Sequence, residues 1–182
     1  DVNSERLDDA ATYLADYAGS PGRSFRRFTD YRELIDDPAV DLILITNHTY
    51  AHRDPTIYAL ESGKAVYLDK PIAVSQDDAR EILAAEARTG NKLIMGFTRR
   101  YEPSWRRAFD LVAADAIGSI QMIQIRSLIP YTRYLQMWHR KKKYSGGALN
   151  DKSSHHLDVF NWFVGAPCRA VSAFGGRSGI FA

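Results

Sequence analysis

The segment Val40-Asp41-Leu42-Ile43-Leu44-Ile45 is short, rich in branched residues and almost continuously apolar. A run of this kind reads as a parallel strand buried on both faces, because alternation disappears where both faces are covered. Residues 65–68 and 92–97 carry the same signal. Helical stretches separate the three. Asp54-Pro55 places proline at a first helical position, and Gly63 marks the stop. Ser75-Gln76-Asp77-Asp78 opens a helix to about residue 88, with Gly90 beyond it. Strand–helix alternation with short connections implies a parallel sheet covered by helices, an α/β unit.

Upstream, Asn3 or Ser4 can cap a helix to about residue 18, with Leu7, Ala11, Leu14 and Ala18 on one face and Gly19 as its stop. Ser20-Pro21-Gly22 reads as a turn, and Asp30 with Glu33 resembles a capping box before a short helix ending near Asp36-Asp37-Pro38. Beyond Phe97 the texture changes. Pro103 starts a helix with Trp105, Ala108, Phe109 and Val112 on one face. In residues 119–129, Ile123 and Ile125 alternate with Gln124 and Arg126, the half-exposed pattern of an antiparallel strand. Residues 130–147 read as irregular, about 150–164 as a helix and 168–174 as a further strand. The expected division is residues 1–98 and residues 99–182, the second unit an α+β domain with an open antiparallel sheet.

Composition excludes some classes. Apolar residues make up 45% and charged residues 25%, which argues against a disordered or disulfide-framework chain. With 24 Lys+Arg against 22 Asp+Glu, the net charge of +2 gives no argument for nucleic acid or an anionic membrane, and neither is expected as a partner. No stretch approaches about 18 uninterrupted apolar residues, the length of a membrane span. The lone Cys168 cannot form an internal disulfide, which fits a reducing, cytoplasmic setting. Asp1 stands first and residues 174–182 close on no clear element, so the chain reads as the middle of a longer protein.

In open α/β sheets ligands gather outside the carboxyl ends of the strands. Two such ends are polar here: Thr46-Asn47-His48-Thr49-Tyr50-Ala51-His52 and Asp69-Lys70-Pro71. A lysine directly after a buried strand can direct its ammonium into the crevice, and Pro71 biases Lys70 toward extended backbone. A surface turn is the alternative. On the helix at 150–164, Asp151 and His155 lie four apart and share a face, with Asp158 a further turn along. A carboxylate beside an imidazole can fix its tautomer and make a general base. The alternative is a polar wet face opposite a packing stripe of Leu157, Phe160, Asn161 and Val164. His155, His156 and Asp158 are metal-ligand types, but adjacent helical histidines point about 100° apart, so no metal site is expected. Arg140-Lys141-Lys142-Lys143 is a short basic run that reads as solvated charge. The strand–G-x-G-x-x-G–helix turn of dinucleotide folds is absent.

Three stretches together resemble the glucose–fructose oxidoreductase / inositol dehydrogenase / MocA (Gfo/Idh/MocA) family of nicotinamide-dependent oxidoreductases. Residues 59–71, ALESGKAVYLDKP, resemble the family's AL-x-x-GKHV-x-x-EKP signature, with Asp69 where Glu is usual. Gly96-Phe97-Thr98-Arg99-Arg100-Tyr101-Glu102-Pro103 resembles GFNRRYDP, with Thr98 for Asn. Gly146-Gly147-Ala148-Leu149 followed by Asp151, His155 and Asp158 resembles GGG-x-L-x-D-x-G-x-H-x-x-D, with Ser145 and Ser153 in place of two glycines.

The resemblance implies a Rossmann domain cut short at its start, since Asp1 resembles the acidic end of the family's second strand. It implies an NAD(P)-dependent oxidation or reduction of a secondary hydroxyl on a sugar, cyclitol or related polyol, by a homo-oligomer. By the family pattern His155 is the base, Asp151 orients it and binds substrate, and Lys70 donates to the reacting oxygen. Asp1, Thr46, Asn47, His52, Asp69, Lys70 and Pro71 fall to the cofactor, and Arg99, Trp138, Arg140, Asp151 and His155 to the substrate. If Asp1 meets the adenosine ribose, its carboxylate favours NAD over NADP. Lys70, Asp151 and His155 are then expected in one cleft. Two further readings stay open: an NAD-dependent glycosidase working through transient oxidation, and a non-catalytic sugar or nucleotide sensor on the same fold.

Overall fold

The structure, a computed structural model, describes residues 1–17, 25–127 and 137–175. It divides into two compact units, Asp1–Gly96 with Pro130–Asp151, and Phe97–Ile129 with Lys152–Ala182.

The first unit is built on three parallel strands, β1 Leu42–Ile45, β2 Ala65–Asp69 and β3 Leu93–Gly96, in the order β1-β2-β3. Helices α1 Ser4–Tyr17, α2 Tyr31–Ile35, α3 Arg53–Glu61 and α4 Gln76–Thr89 accompany them. Register places Ile43 beside Val66 and Leu93, and Ile45 beside Leu68 and Met95. These side chains pack with Ile35, Ala59, Leu60, Ile82 and Ala85 into one core. Full burial of each branched side chain contributes about 1.5–3 kcal/mol.

The helix ends follow the sequence signals. Asp30 accepts from the Arg32 N–H, and Ser75 accepts from the Asp78 N–H. Gly90 closes α4 in the left-handed region at φ 68°. Asn3 Oδ1 accepts from the Glu5 N–H at 2.9 Å and so opens α1. Helix α3 starts two residues earlier than expected, which puts Pro55 in its third position, where the N–H that proline lacks would have no helical partner in any case. Gly19 and the turn Ser20-Pro21-Gly22 lie outside the described residues.

Burial of the sheet on both faces is not what the unit shows. Leu44, Tyr67 and Ile94 lie side by side in register on one face, where Leu44 is 63% and Ile94 49% exposed. The apolar core occupies the other face. A continuous apolar run reports strand propensity, not how many faces are covered within the unit.

The second unit contains α5 Pro103–Ala113 and α7 Ser154–Val164, and α6 Lys142–Ser145 belongs to the first. Phe109 stacks on Trp162 at 4.5 Å between centroids, and Trp105 meets Phe163 edge-on at 6.3 Å. Gly165 ends α7 at φ 68°. The helix expected from about residue 150 is two pieces, a π-helical turn Leu149–Ser153 leading into α7.

Among the described residues no antiparallel sheet forms, and residues 119–127 and 168–175 run without a strand ladder. The alternation persists, with Ile123 and Ile125 half-buried and Gln124 and Arg126 exposed. Alternation supplies a face; a strand also needs a neighbour for its backbone N–H and C=O groups. Residues 128–129 lie outside the described set. The segment expected to be irregular holds, over its described part, a 3-10 turn Trp138–Arg140 and helix α6. No helix among the described residues is long and apolar enough to cross a membrane.

Candidate active site

Lys70 follows the last residue of β2. Asp69 turns its carboxylate back on the chain, and its Oδ1 accepts from the Lys70 N–H at 2.8 Å. The Lys70–Pro71 peptide is cis. The Lys70 Nζ donates to Asp151 Oδ1 at 3.0 Å and to the Asp151 carbonyl at 2.9 Å. The two side chains are 17% and 5% exposed. Asp151 is presented by the π-helical turn, its own N–H donating to the Gly147 carbonyl at 2.9 Å. Taking both charges out of water costs several kcal/mol each, which direct pairing and the extra carbonyl contact offset. An ammonium has three protons, and Asp151 accepts two of them, so one donor remains for a ligand oxygen.

The carboxyl end of β1 lies next to this pair in the sheet. Thr46, Asn47, His48 and Tyr50 are exposed there, and the Asn47 side chain donates to the Ala51 carbonyl at 3.1 Å. His52, expected to line the cofactor crevice, turns inward in this structure. It is 1% exposed, with Nδ1 2.9 Å from the Pro71 carbonyl and Nε2 3.1 Å from the Asn47 carbonyl. It therefore ties the loop after β1 to the residue after Lys70, as a positioning group. Pro71 is likewise buried. Nothing in a strand-end loop's sequence says which of its histidines turns inward. Asp1 accepts from the Asn3 N–H at 2.9 Å just before α1.

An aromatic cluster completes the first unit. Trp138 meets His48 edge-on at 4.9 Å, His48 lies 5.4 Å from Tyr50, and Tyr50 lies 5.0 Å from Tyr144. The Lys143 Nζ sits 4.7 Å from the Tyr144 ring centre, and Arg140 is exposed at the end of the 3-10 turn. The Asn150 side chain holds this region in place, donating to the Ala73 carbonyl at 2.8 Å and the Ser145 carbonyl at 3.1 Å.

The second unit carries the remaining expected residues. His155 lies in the first turn of α7, its ring edge-on to Phe97 at 6.2 Å. The Arg99 guanidinium lies 5.0 Å from the Trp105 ring centre. Burial, with a smaller contribution from the Arg99 charge, holds His156 below the ordinary histidine range. Asp158 is clamped by Arg100, whose Nε and Nη2 donate to its carboxylate at 2.9 and 2.7 Å, and hydrogen bonding to that carboxylate raises the arginine. Sequence reasoning missed Arg100; its place beside Arg99 in the GFTRRYEP stretch was the available signal.

A parallel sheet with helices packed against it and a lysine–carboxylate pair at its strand ends is a Rossmann-type α/β arrangement. Residues 3–97 match the model of the oxidoreductase family with an NAD-binding Rossmann fold, and residues 105–179 match the GFO/IDH/MocA C-terminal domain. The chain belongs to the Gfo/Idh/MocA family. It is 31% identical over 147 residues to the uncharacterized oxidoreductase YrbE of Bacillus subtilis, covering 81% of this chain and 42% of that protein. It is 27% identical over 152 residues to the inositol 2-dehydrogenase of Salmonella typhimurium, again 81% and 42%. The crystal structure of scyllo-inositol dehydrogenase from Lactobacillus casei with bound NAD(H) and scyllo-inositol superposes with a TM-score of 0.74 at 27% identity, covering 91% of this chain and 47% of that one. The chain thus spans less than half the length of the relatives it matches.

Proposed function

We propose that the whole protein is a dehydrogenase that interconverts a secondary hydroxyl of a sugar or cyclitol and the corresponding ketone. The observation that carries this reading is the contact of Lys70 with Asp151, a largely buried ion pair at the strand ends. Likeness to inositol dehydrogenases supports the substrate class.

Thr46 and Asn47, exposed at the carboxyl end of β1, suit a dinucleotide lying across the strand ends, and would hold it there. NAD, when bound, supplies the hydride acceptor. Asp1 would engage the adenosine ribose. Lys70 donates its remaining N–H to the substrate oxygen and stabilises alkoxide character as it develops. His155 accepts the hydroxyl proton, and Asp151 holds Lys70 and contacts substrate. Arg99, Trp138 and Arg140 contact the substrate's other groups. In this reading residues 1–98 form the nucleotide-binding part and 99–182 the substrate part.

The test is incubation of the whole protein with NAD and a panel of cyclitols and sugars, following both reduced cofactor and carbonyl product. Equal amounts of the two support the reading. Glycoside cleavage without net cofactor reduction, or no turnover across the panel, would overturn it.

A further inference from the structure

In the basic run Arg140-Lys141-Lys142-Lys143 the three lysines have no part in the chemistry above, yet the fold does not leave them as scattered surface charge. The Nζ atoms of Lys143 and Lys141 lie 4.7 and 5.9 Å from the centre of the Tyr144 ring. Tyr144 packs on Tyr50, Tyr50 on His48, and His48 on Trp138. This gives a partly exposed aromatic surface with two cations at one end. The segment from Tyr144 to Asp151 fixes its place. One end of that segment docks on Tyr50 beyond β1, and the other pairs with Lys70 beyond β2. β1 and β2 are neighbours, paired Ile45 to Leu68. Asn150 pins the middle of the segment to the Ala73 and Ser145 carbonyls.

We infer that His48, Tyr50, Trp138 and Tyr144, with Lys141 and Lys143, form a substrate subsite for an acidic sugar, one whose ring carries a carboxylate or a phosphate. The inference rests on the dehydrogenase reading for the chemistry at Lys70, and adds the substrate's charge. Aromatic faces take the C–H face of a saccharide ring, while neutral polyols give the two ammonium groups nothing to neutralise. The run is short and local, so it favours a small anion over a polyanion such as nucleic acid.

Calorimetric titration of the whole protein, saturated with NAD, with matched neutral sugars, uronates and sugar 6-phosphates tests this. An acidic member binds about twofold to thirtyfold more tightly than its neutral counterpart, the range two exposed cations supply. The preference shrinks as salt rises. The Lys141→Ala/Lys143→Ala double variant brings the ratio to about one. Which acidic member gains distinguishes carboxylate from phosphate. Equal affinity of neutral and acidic sugars, a preference that survives the double variant, or a lysine dependence confined to NADP over NAD would overturn the subsite. Tight acidic-sugar binding without hydride transfer supports the subsite and faults the dehydrogenase reading. Turnover of neutral polyols with no acidic preference faults the subsite alone.

Discussion

Lys70 and Asp151 stand 81 positions apart in the chain and meet at 3.0 Å, with the Asp151 backbone carbonyl a further 2.9 Å acceptor for the same ammonium. The relationship sets both a chemical and an energetic expectation. Removing one partner leaves the other charge buried and uncompensated. Asp151→Leu is expected to lower unfolding stability by about 3 kcal/mol, and adding Lys70→Met to recover at least half of that, with Lys70→Met alone as the remaining corner of the cycle. Urea denaturation of the four proteins checks the cycle. Simple additivity would mean the pair is not coupled.

Gly146 is a backbone requirement of the same segment. Its φ is +76°, and a Cβ there would press on the Asn150 amide and lie 2.9 Å from the Val74 carbonyl oxygen. Gly146→Ala should cost about 1–3 kcal/mol through strain and displacement of Asn150. Thermal unfolding measures it; an unchanged midpoint would show that the segment can shift without loss.

His156 gives a pH expectation. Burial first and the Arg99 charge second lower it, so the folded chain disfavours its protonation. Its contribution to stability is present above the ordinary histidine value and is lost as pH falls from there through the lower folded-state value. An imidazole NMR titration should place its midpoint below that of a free histidine. Arg99→Met should raise the midpoint part of the way, leaving the larger effect of burial. A wild-type midpoint at or above the free value would contradict the assignment.

Much of this was legible in the chain. The β1, β2 and β3 runs, the Ser75 cap and the Gly90 stop fixed a parallel α/β unit, because local propensity and tertiary placement agree there. Lys70 was legible as a strand-end cation. Its meeting with Asp151 leaves no periodic trace across 81 positions, and only the family resemblance brings the two residues into one cleft. The inward turn of His52 leaves no trace in the sequence either: the groups beside both ring nitrogens are backbone carbonyls, which any sequence supplies. Residues 119–127 show the converse, a strand pattern without a ladder, because alternation cannot name a partner.

On the proposed reading, cofactor choice follows from Asp1. A carboxylate that meets the adenosine ribose accepts its hydroxyls and repels a 2′-phosphate, so NAD is expected to be preferred. Asp1→Ser in the whole protein should shift the NADP/NAD ratio of kcat/KM upward by about tenfold or more. Steady-state kinetics with both cofactors reads this directly; a ratio that does not move would remove Asp1 from the cofactor site.

The most direct test of the account is the turnover of the whole protein with Lys70→Ala and, separately, His155→Ala, on the best substrate of the cyclitol and sugar panel. Each should lower kcat by about 10²–10⁴-fold, because each group acts mainly in the transition state. NAD affinity, measured by cofactor titration, should change by no more than about threefold, since neither loss touches uniform binding. A Lys70→Ala protein that turns over at the wild-type kcat, whatever its KM, would contradict the central claim that this lysine serves the reacting oxygen.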